Sequence, residues 1–326
     1  MEYINLGKTG LKVSRICLGC MSFGNPEIRK WSLDEKESLP FFKKAIEEGI
    51  NFFDTANIYS RGMSELITGN GLKLYAKRDE IVLASKVFFP MREEPNGRGL
   101  SRKAIMSEID NSLRRLQTEY LDLYQIHRWD YSTPIEETLE ALYDVVKSGK
   151  VRYIGASSMH AYQFAKSLYI ADLRHLTRFV SMQNHYNLLY REEEREMLRL
   201  CAEEGTGVLP WSPLARGRLA RPYQKDPETR RAKNDEFGTT LYGKTEEADK
   251  AIIDAVTKIS KDRTISQATV SLAWLLSKQS VTSPIIGATS LNHIDDAVAA
   301  INLKLTEDEI KKLEENYVPH TVVGFS

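Results

Sequence analysis

The chain has 326 residues, and its 45 Lys and Arg residues balance its 45 Asp and Glu residues, so it carries no net charge at pH 7. This balance provides no global field for nucleic acid or an acidic membrane surface, so we expect the partner to be a small molecule. No run approaches the ~18 uncharged apolar residues of a membrane-spanning helix. Residues 1–19 carry charges and lack the apolar core of a signal peptide, so we expect a soluble, cytoplasmic protein.

The chain begins with a hairpin pattern. Residues 2–13 (EYINLGKTGLKV) hold two short β-prone segments, and we place the turn between them at Lys8, Thr9 and Gly10. We expect this hairpin to plug one end of the structure that follows.

After the hairpin, short β-rich runs recur, mostly at intervals of roughly thirty to forty residues, and each is followed by a segment with helical periodicity. The eight runs are 15–21, 51–55, 81–86, 121–127, 151–157, 179–184, 207–213 and 283–289. The connection between the last two runs is much longer than the others. Its first part, residues 214–245, is rich in Arg, Gly, Pro and Asp, and a loop of this length inside a compact domain is usually functional.

The segments between the runs predict helices that cover a parallel sheet. Clear examples are residues 34–49, 101–117 and 134–150, which have apolar residues at helical spacing. Eight apolar strands alternating with helices predict a (β/α)8 TIM barrel, which we treat as a single domain over residues 1–326. The main alternative is a doubly wound fold with a GxGxxG loop after its first strand, and residues 17–24 (CLGCMSFG) do not match that loop.

Cysteine and histidine spacing does not favour a metal site. Cys17, Cys20 and Cys201 are too few for a disulfide framework. Cys17 and Cys20 form a CxxC pattern, but no second pair or clustered His accompanies them, so we favour buried or strand-end thiols. The six histidines include no HxH or HExxH pair.

Four ionisable residues mark the rim where the active site of a TIM barrel lies, at the C-terminal ends of the strands. Asp54 is the next to last residue of the second run, Tyr59 follows in the loop, Lys86 ends the third run and His127 ends the fourth. Taken singly, each has an ordinary explanation as a cap, a surface aromatic, a solvated charge or a rim histidine. Together, ionisable groups from three consecutive strands favour a catalytic site.

The chemistry of this set can be argued from charge. An adjacent ammonium stabilises a phenolate, so we expect Lys86 to make Tyr59 a usable proton donor near neutral pH. A carboxylate such as Asp54 keeps a partly buried lysine charged, and His127 is expected to orient a substrate carbonyl or to share the proton. Because the sequence has no GxSxG elbow and no metal-ligand pair, a nicotinamide is the expected source of an attacking hydride.

A chain with Asp54, Tyr59, Lys86 and His127 placed on eight βα units resembles the aldo-keto reductases. The similarity extends from the N-terminal hairpin to the C-terminal helix. Further matching segments are GASS, QNHYN, PWSPLARG and PIIGATS. The segments IHRWD, VRYIGASSMH and PWSPLARGRL are similar to the YajO-like bacterial subgroup and its fungal relatives, which are often labelled aryl-alcohol dehydrogenases. The resemblance implies a reversible, NAD(P)H-dependent reduction of a carbonyl group to an alcohol.

The resemblance also implies a role for individual residues. Tyr59 matches the general acid, Lys86 and Asp54 match its tuning pair, and His127 matches the residue that orients the carbonyl. The substrate pocket is expected to include Trp31, Tyr59, Phe88, Phe89 and Trp129.

A larger set matches the positions that hold the cofactor in this family. Ser157 and Gln183 match residues that bond the nicotinamide carboxamide, Trp211 matches the aromatic that stacks on its ring, and residues 210–217 match the segment that wraps the pyrophosphate. The implied cofactor-binding residues are Cys20, Met21, Asp54, Ser157, Ser158, Gln183, Trp211, Ser212, Pro213, Leu214, Arg216, Gly217, Arg218, Arg221, Arg231, Gly287, Thr289, His293 and Asp296.

Arginines in the long loop suit a 2′-phosphate, because a guanidinium bonds phosphate bidentately. They are Arg216, Arg218, Arg221, Arg230 and Arg231. The alternative to a 2′-phosphate site is that this segment, which also carries Asp226 and Glu228, is simply a solvated basic loop. We predict NADP(H) as the preferred cofactor and keep NAD(H) as the alternative, since the sequence departs from the family pattern at Ser158, Gly287, His293 and Ala297.

An aromatic pocket lining favours aromatic or medium-sized apolar aldehydes, although the same residues also suit ordinary loop packing. An anionic substrate, including a sugar phosphate, is the alternative suggested by Arg92, Arg98 and Arg128. Two other function classes stay open at this point. One is a nicotinamide-sensing regulatory subunit, as in the potassium-channel β-subunits of this family, and the other is a cofactor-free barrel isomerase or hydrolase.

Overall fold

The computed structural model of the protein describes residues 1–224, 229, 232–243 and 245–324. Its central feature is a parallel sheet with one strand in each of the eight predicted runs, so the parallel-sheet prediction is confirmed. These strands are β3 (Cys17–Gly19), β4 (Phe52–Asp54), β5 (Val82–Val87), β6 (Leu121–Ile126), β7 (Val151–Ser157), β8 (Phe179–Gln183), β9 (Gly207–Val208) and β10 (Ile285–Gly287).

The sheet curls until its ends meet. The strand order is β10-β3-β4-β5-β6-β7-β8-β9, so β10 already pairs with β3 on one side. On the other side, the Thr282 amide donates to the Val208 carbonyl and the Ile285 amide donates to the Pro210 carbonyl, both at 2.9 Å. These bonds join β10 to the end of β9, and the predicted (β/α)8 barrel is confirmed.

Strand β9 is shorter than the predicted run 207–213. The chain continues beside β8, since the Leu209 and Trp211 amides still donate to carbonyls at its edge. Pro210 has no amide hydrogen to donate, so the regular ladder ends before it. The remainder of the run therefore forms the loop that carries Trp211 to the rim of the barrel.

Eleven α-helices occur in the described part of the chain, most of them between consecutive barrel strands. They are α1 (Glu35–Glu47), α2 (Met63–Tyr75), α3 (Arg102–Leu116), α4 (Ile135–Lys147), α5 (Ala161–Leu173), α6 (Met197–Glu204), α7 (Glu236–Tyr242), α8 (Glu246–Arg263), α9 (Gln267–Leu276), α10 (Asn292–Asn302) and α11 (Glu307–Glu314). The three helices predicted from periodicity are confirmed as α1, α3 and α4. Helix α1 begins in a capping box, in which Asp34 and Glu37 each accept the other's backbone amide.

The N-terminal hairpin consists of β1 (Tyr3–Asn5) and β2 (Lys12–Ser14), which pair antiparallel as predicted. Leu6 and Val13 are fully buried and belong to the same apolar cluster as Phe52, Val82 and Leu123. These three side chains come from neighbouring barrel strands. The hairpin therefore closes the barrel floor, opposite the rim that carries the polar residues.

The long connection before β10 is not one continuous loop. Its predicted loop segment, 214–245, contains α7, which begins because the Asp235 side chain accepts the Gly238 amide at 3.1 Å. Residues 225–228, 230, 231 and 244 of this segment lie outside the described residues. Helices α8 and α9 follow and return the chain to β10.

Two further observations bear on the sequence predictions. Within the described residues, no helix is both long enough and apolar enough to cross a membrane. Cys17, Cys20 and Cys201 are all buried free thiols, and burial raises the pKa of Cys20 and of Cys201 to about 12. This agrees with the interpretation of the CxxC pattern as buried thiols.

Candidate active site

The barrel register brings the four predicted catalytic residues to one rim. Asp54 is the last residue of β4, Lys86 is the next to last residue of β5, and His127 directly follows β6. Because these strands are parallel neighbours, their C-terminal ends lie side by side. Tyr59 opens a short turn after β4, and this turn brings its hydroxyl back over the strand ends.

Lys86 is the centre of the cluster. Its side chain has no exposed surface, and its ammonium donates to Asp54 Oδ1 at 2.5 Å, to the Thr55 carbonyl at 2.8 Å and to the Tyr59 hydroxyl at 3.3 Å. Burial acts to lower the pKa of Lys86, but attraction by Asp54 and Tyr59 outweighs this effect and raises it. The lysine is therefore held as a cation directly beside the phenol.

Two glutamines hold the Asp54 carboxylate in place. Its second oxygen, Oδ2, accepts from Gln125 Nε2 at 2.9 Å and from Gln183 Nε2 at 3.0 Å. Gln183 also donates to Gln125 Oε1 at 3.1 Å. Sequence reasoning missed Gln125, although a glutamine inside the apolar strand β6 was a signal that a buried polar partner existed.

His127 faces Tyr59 in an edge-to-face arrangement, with ring centroids 5.7 Å apart. Burial, followed by the positive charges of Lys86, Arg128 and Arg29, lowers the pKa of His127 well below its usual range. Its Nδ1 is buried without a partner in the described structure, so Nε2 is the ring nitrogen that meets the cavity. The imidazole is neutral at physiological pH and can donate one N–H to a ligand.

Tyr59 and His127 line a large cavity of about 1390 Å³ at the barrel rim. Such a volume exceeds the roughly 300–1,000 Å³ of common small-molecule sites and accommodates a cofactor together with a substrate. The predicted site residues in its wall are Met21, Trp31, Asp54, Tyr59, Phe88, Phe89, His127, Trp129, Ser157, Gln183, Trp211, Ser212, Pro213, Leu214, Arg216, Gly217, Arg221, Gly287, Thr289, His293 and Asp296.

Other predicted residues do not reach the wall of this cavity. Cys20 is fully buried, with its Sγ 3.7 Å from the Leu18 carbonyl. Ser158 is buried, and its hydroxyl accepts from Trp211 Nε1 at 2.9 Å. Lys86 is fully buried, and its ammonium donates to the Tyr59 hydroxyl at 3.3 Å.

Three predicted arginines also lie elsewhere. Arg218 lies 3.7 Å from Glu246, and its guanidinium lies over the Tyr242 ring. Arg92 and Arg98 are exposed and do not line the cavity. Arg231 lies outside the described residues.

A model described as the aldo/keto reductase family matches residues 15–317, which is nearly the whole barrel. The chain belongs to this family. Aldo/keto reductases are oxidoreductases that generally use nicotinamide cofactors, so the resemblance inferred from the strand-end residues is confirmed.

Named relatives of this aldo/keto reductase cover nearly its full length. It is 45% identical to the versiconal hemiacetal acetate reductase of Aspergillus parasiticus, with 99% of this chain and 98% of the relative aligned. It is 44% identical to an aldo-keto reductase of Metarhizium robertsii, covering 100% of this chain and 94% of the relative. A Saccharomyces cerevisiae protein named "putative aryl-alcohol dehydrogenase" is 42% identical, with 98% of both chains covered.

In this aldo/keto reductase, Trp211 is supported by an aromatic stack that sequence reasoning missed. His185 lies between Tyr190 and Trp211, with centroid distances of 4.2 and 4.3 Å and nearly parallel planes. Its Nε2 lies 2.7 Å from the Tyr242 hydroxyl, at the end of α7. The stack and the Ser158 bond hold the Trp211 indole in the wall of the cavity, where the Phe237 ring also lies 6.4 Å from it, centroid to centroid.

The segment predicted to wrap the pyrophosphate, residues 210–217, contains a backbone turn suited to anions. Ala215, Arg216 and Gly217 have φ values of 46°, 57° and 96°, so successive amides turn in a tight left-handed path. Such turns form concave anion-binding sites. Arg216 itself is committed to Asp235 through two hydrogen bonds, one of them at 2.8 Å between Nη2 and Oδ1, and both side chains are under a tenth exposed. This pair links the segment to the start of α7.

The described residues contain no group of three or more Cys, His, Asp or Glu side chains placed to hold a metal ion. The ionisable groups at the rim instead pair with each other, as Lys86 does with Asp54. The arrangement can hold a proton on Tyr59 and present a neutral imidazole beside it.

Proposed function

We propose that the protein is an NADP(H)-dependent reductase that converts aldehydes or ketones to alcohols, reversibly, with Tyr59 as the general acid. The observation that carries this proposal is the contact between the buried Lys86 ammonium and the Tyr59 hydroxyl at 3.3 Å. The Asp54 carboxylate forms an ion pair with the same ammonium and holds it in place. The membership of an oxidoreductase family supports it. So do the reductase and dehydrogenase names of the relatives.

The cavity fits a nicotinamide dinucleotide in three respects. Gln183 donates through Nε2 to Asp54, and among the described residues no donor reaches its Oε1, which suits a carboxamide N–H. Trp211 offers a fixed indole ring in the cavity wall, and the turn at 215–217 offers amides to a pyrophosphate. When bound there, the cofactor supplies the hydride that reduces the carbonyl carbon.

The chain's own residues manage the carbonyl oxygen. The neutral His127 donates a hydrogen bond to this oxygen and orients it toward Tyr59. Tyr59 transfers its proton to the oxygen as the carbon is reduced, which yields the alcohol and leaves a phenolate. Lys86 stabilises the phenolate by charge and hydrogen bonding until water returns the proton.

Replacement of Tyr59 tests this mechanism. Tyr59→Phe should reduce turnover of an aromatic aldehyde by about 10²–10⁴, the usual contribution of a general acid. The fold should survive, because Lys86 keeps its bonds to Asp54 and the Thr55 carbonyl. NADPH affinity, followed by quenching of tryptophan fluorescence, should not change.

Tyr162→Phe is the matched control, since Tyr162 is an exposed tyrosine on α5. It should behave as wild type in both assays. Wild-type turnover by Tyr59→Phe would remove Tyr59 from the proton-donor role.

The side chain that supports the proposed preference for NADP(H) is Arg221. This guanidinium lines the cavity near His293, and among the described residues no carboxylate pairs with it. Of the other described arginines in the loop, Arg216 pairs with Asp235 and Arg218 faces Glu246. Arg221 is therefore the described side chain best suited to a 2′-phosphate.

Arg221→Ala should raise the dissociation constant of NADPH at least about tenfold and that of NADH much less, as expected for a lost charge-assisted bond. Arg218→Ala is the matched control, because it removes an arginine from the same loop outside the cavity. Equal effects of Arg221→Ala on both cofactors would contradict a 2′-phosphate contact.

The catalytic end of the cavity supports an aromatic or medium-sized substrate. Its wall includes Trp31, Phe88, Phe89, Trp129 and Tyr131. Flat aromatic bodies bury well between such rings. A panel of aldehydes and ketones assayed with both cofactors tests this part of the proposal, and fractionation of the native cells tests the cytoplasmic location that the sequence predicts.

A further inference from the structure

The end of the cavity beside Tyr59 and His127 contains two arginines that have no carboxylate partner among the described residues. Arg29 lies in the connection from β3 to α1, and Arg128 directly follows His127 beyond β6. Both line the cavity beside Tyr59. Within the described residues, neither guanidinium lies at ion-pair distance from an Asp or Glu, and the sequence singled out only Arg128 of the two.

Both guanidinium groups are held by aromatic rings. The Cζ of Arg29 lies 5.7 Å from the Trp31 ring centroid and 5.8 Å from that of Tyr59. The Cζ of Arg128 lies 5.5 Å from the Phe89 centroid, and its Nη1 donates to the His127 carbonyl at 2.6 Å. Contacts with ring faces leave the edge N–H groups of a guanidinium available to a ligand. The two donors are therefore preorganised around the place where the carbonyl reacts.

Among the described residues, no carboxylate neutralises the charge at this end of the cavity. Asp54 is already paired with Lys86, and the nearby Arg216 has its own partner in Asp235. Burial lowers the pKa of Arg29, and it lowers the pKa of Arg128 to about 10. A partly buried cation without a counterion carries a desolvation cost that a bound anion would offset.

We propose that Arg29 and Arg128 form an anion subsite that binds a carboxylate or phosphate group carried by the carbonyl substrate. The inference rests on the proposed function and deepens it by naming the substrate class: an aldehyde or ketone with an apolar body and an anionic group. Trp31 and Phe89, which support the arginines, pack against that body. Tyr59 and His127 act on its carbonyl oxygen.

Matched pairs of substrates test the subsite. The first pair is 4-carboxybenzaldehyde and its neutral methyl ester, and the second is 4-formylphenyl phosphate and the neutral 4-methoxybenzaldehyde. At saturating NADPH, wild-type enzyme should prefer the anionic member of at least one pair by about tenfold or more in kcat/KM, the size expected for charge-assisted hydrogen bonds. The pair with the larger ratio identifies carboxylate or phosphate as the anion.

Two variants then assign the preference to these arginines. Arg29→Gln and Arg128→Gln should each lower the anionic-to-neutral ratio toward one, whatever they do to the absolute rates. Arg92→Gln is the matched control, since Arg92 is an exposed arginine outside the cavity, and it should keep the wild-type ratio.

The outcomes separate this inference from the proposed function. Ratios of one or less in both pairs, with good turnover of the neutral members, would overturn the subsite and leave the reductase function standing. Turnover of neither member with NADPH or NADH would instead refute the proposed function. An unchanged ratio in both variants, together with weaker NADPH binding, would assign the arginines to the cofactor and overturn the inference.

Discussion

We expect the buried pair of Lys86 and Asp54 to make two separable contributions, one to stability and one to the proposed proton transfer. Lys86 Nζ lies 2.5 Å from Asp54 Oδ1, and the side chains of Lys86 and Asp54 are 0% and 3% exposed. Lys86→Met removes the cation and leaves the Asp54 carboxylate buried. Breaking a buried ion pair costs about 3–5 kcal/mol of the free energy of unfolding. Gln125 and Gln183 still donate to Asp54, so we expect a value near the lower limit, about 3 kcal/mol.

This loss corresponds to a small but measurable shift in melting temperature. A chain of 326 residues has an unfolding entropy of about 0.7 kcal/mol per kelvin, so about 3 kcal/mol lowers Tm by about 4 °C. In the double variant Asp54→Asn/Lys86→Met, no unpaired charge is buried, and Tm should recover most of the loss. Turnover should stay at least about 10²-fold below wild type in both variants, because the phenolate of Tyr59 has lost its ammonium.

Differential scanning fluorimetry and steady-state kinetics on the three proteins measure both effects. Wild-type turnover by Lys86→Met would refute the role of the ammonium in proton transfer. A double variant no more stable than Lys86→Met would refute the unpaired carboxylate as the cause of the destabilisation.

Two further predictions concern stability. Burial acts to lower the pKa of His320, but its bond to Asp249 outweighs this effect and raises the pKa. The stability that the protonated His320 gains from this bond is therefore fully present below about pH 6.5 and is lost as pH rises through the raised pKa. His320→Gln should therefore lower Tm by about 1–2 °C more at pH 6 than at pH 9, as melting curves at both pH values will show. A Cβ on Gly69 would lie 2.5 Å from the Leu116 carbonyl oxygen, so Gly69→Ala should cost about 1–3 kcal/mol in denaturant unfolding. Gly10→Ala, where nothing lies within 4 Å, is its control, and equal losses in the two would contradict the steric cause.

Several features of the site were predictable because they follow from local pattern. Asp54, Lys86 and His127 each lie at or next to the end of an apolar run, and parallel strands place their C-terminal ends at one rim. The hairpin and three helices were predicted from turn residues and periodicity and are confirmed. The single-domain organisation over residues 1–326 stays a prediction.

Other features were not predictable because they depend on side chains far apart in the chain. Nothing local to Arg216 indicates that Asp235 neutralises it, and nothing near Arg29 indicates that it rests on the Tyr59 ring. The sequence predicts a loop where α7 lies, because the start of this helix depends on the Asp235 cap within a segment rich in loop-forming residues.

The sequence by itself determined the barrel, the rim and the identity of the ionisable groups on it, since strand period and strand ends are encoded locally. Only the tertiary structure decided which charges meet. Coulombic interactions depend on distance and on burial, and both are set by strands and loops that the fold brings together. Lys86 is therefore the buried partner of Asp54, while Arg29 and Arg128 face the cavity with no carboxylate partner in the described part of the chain.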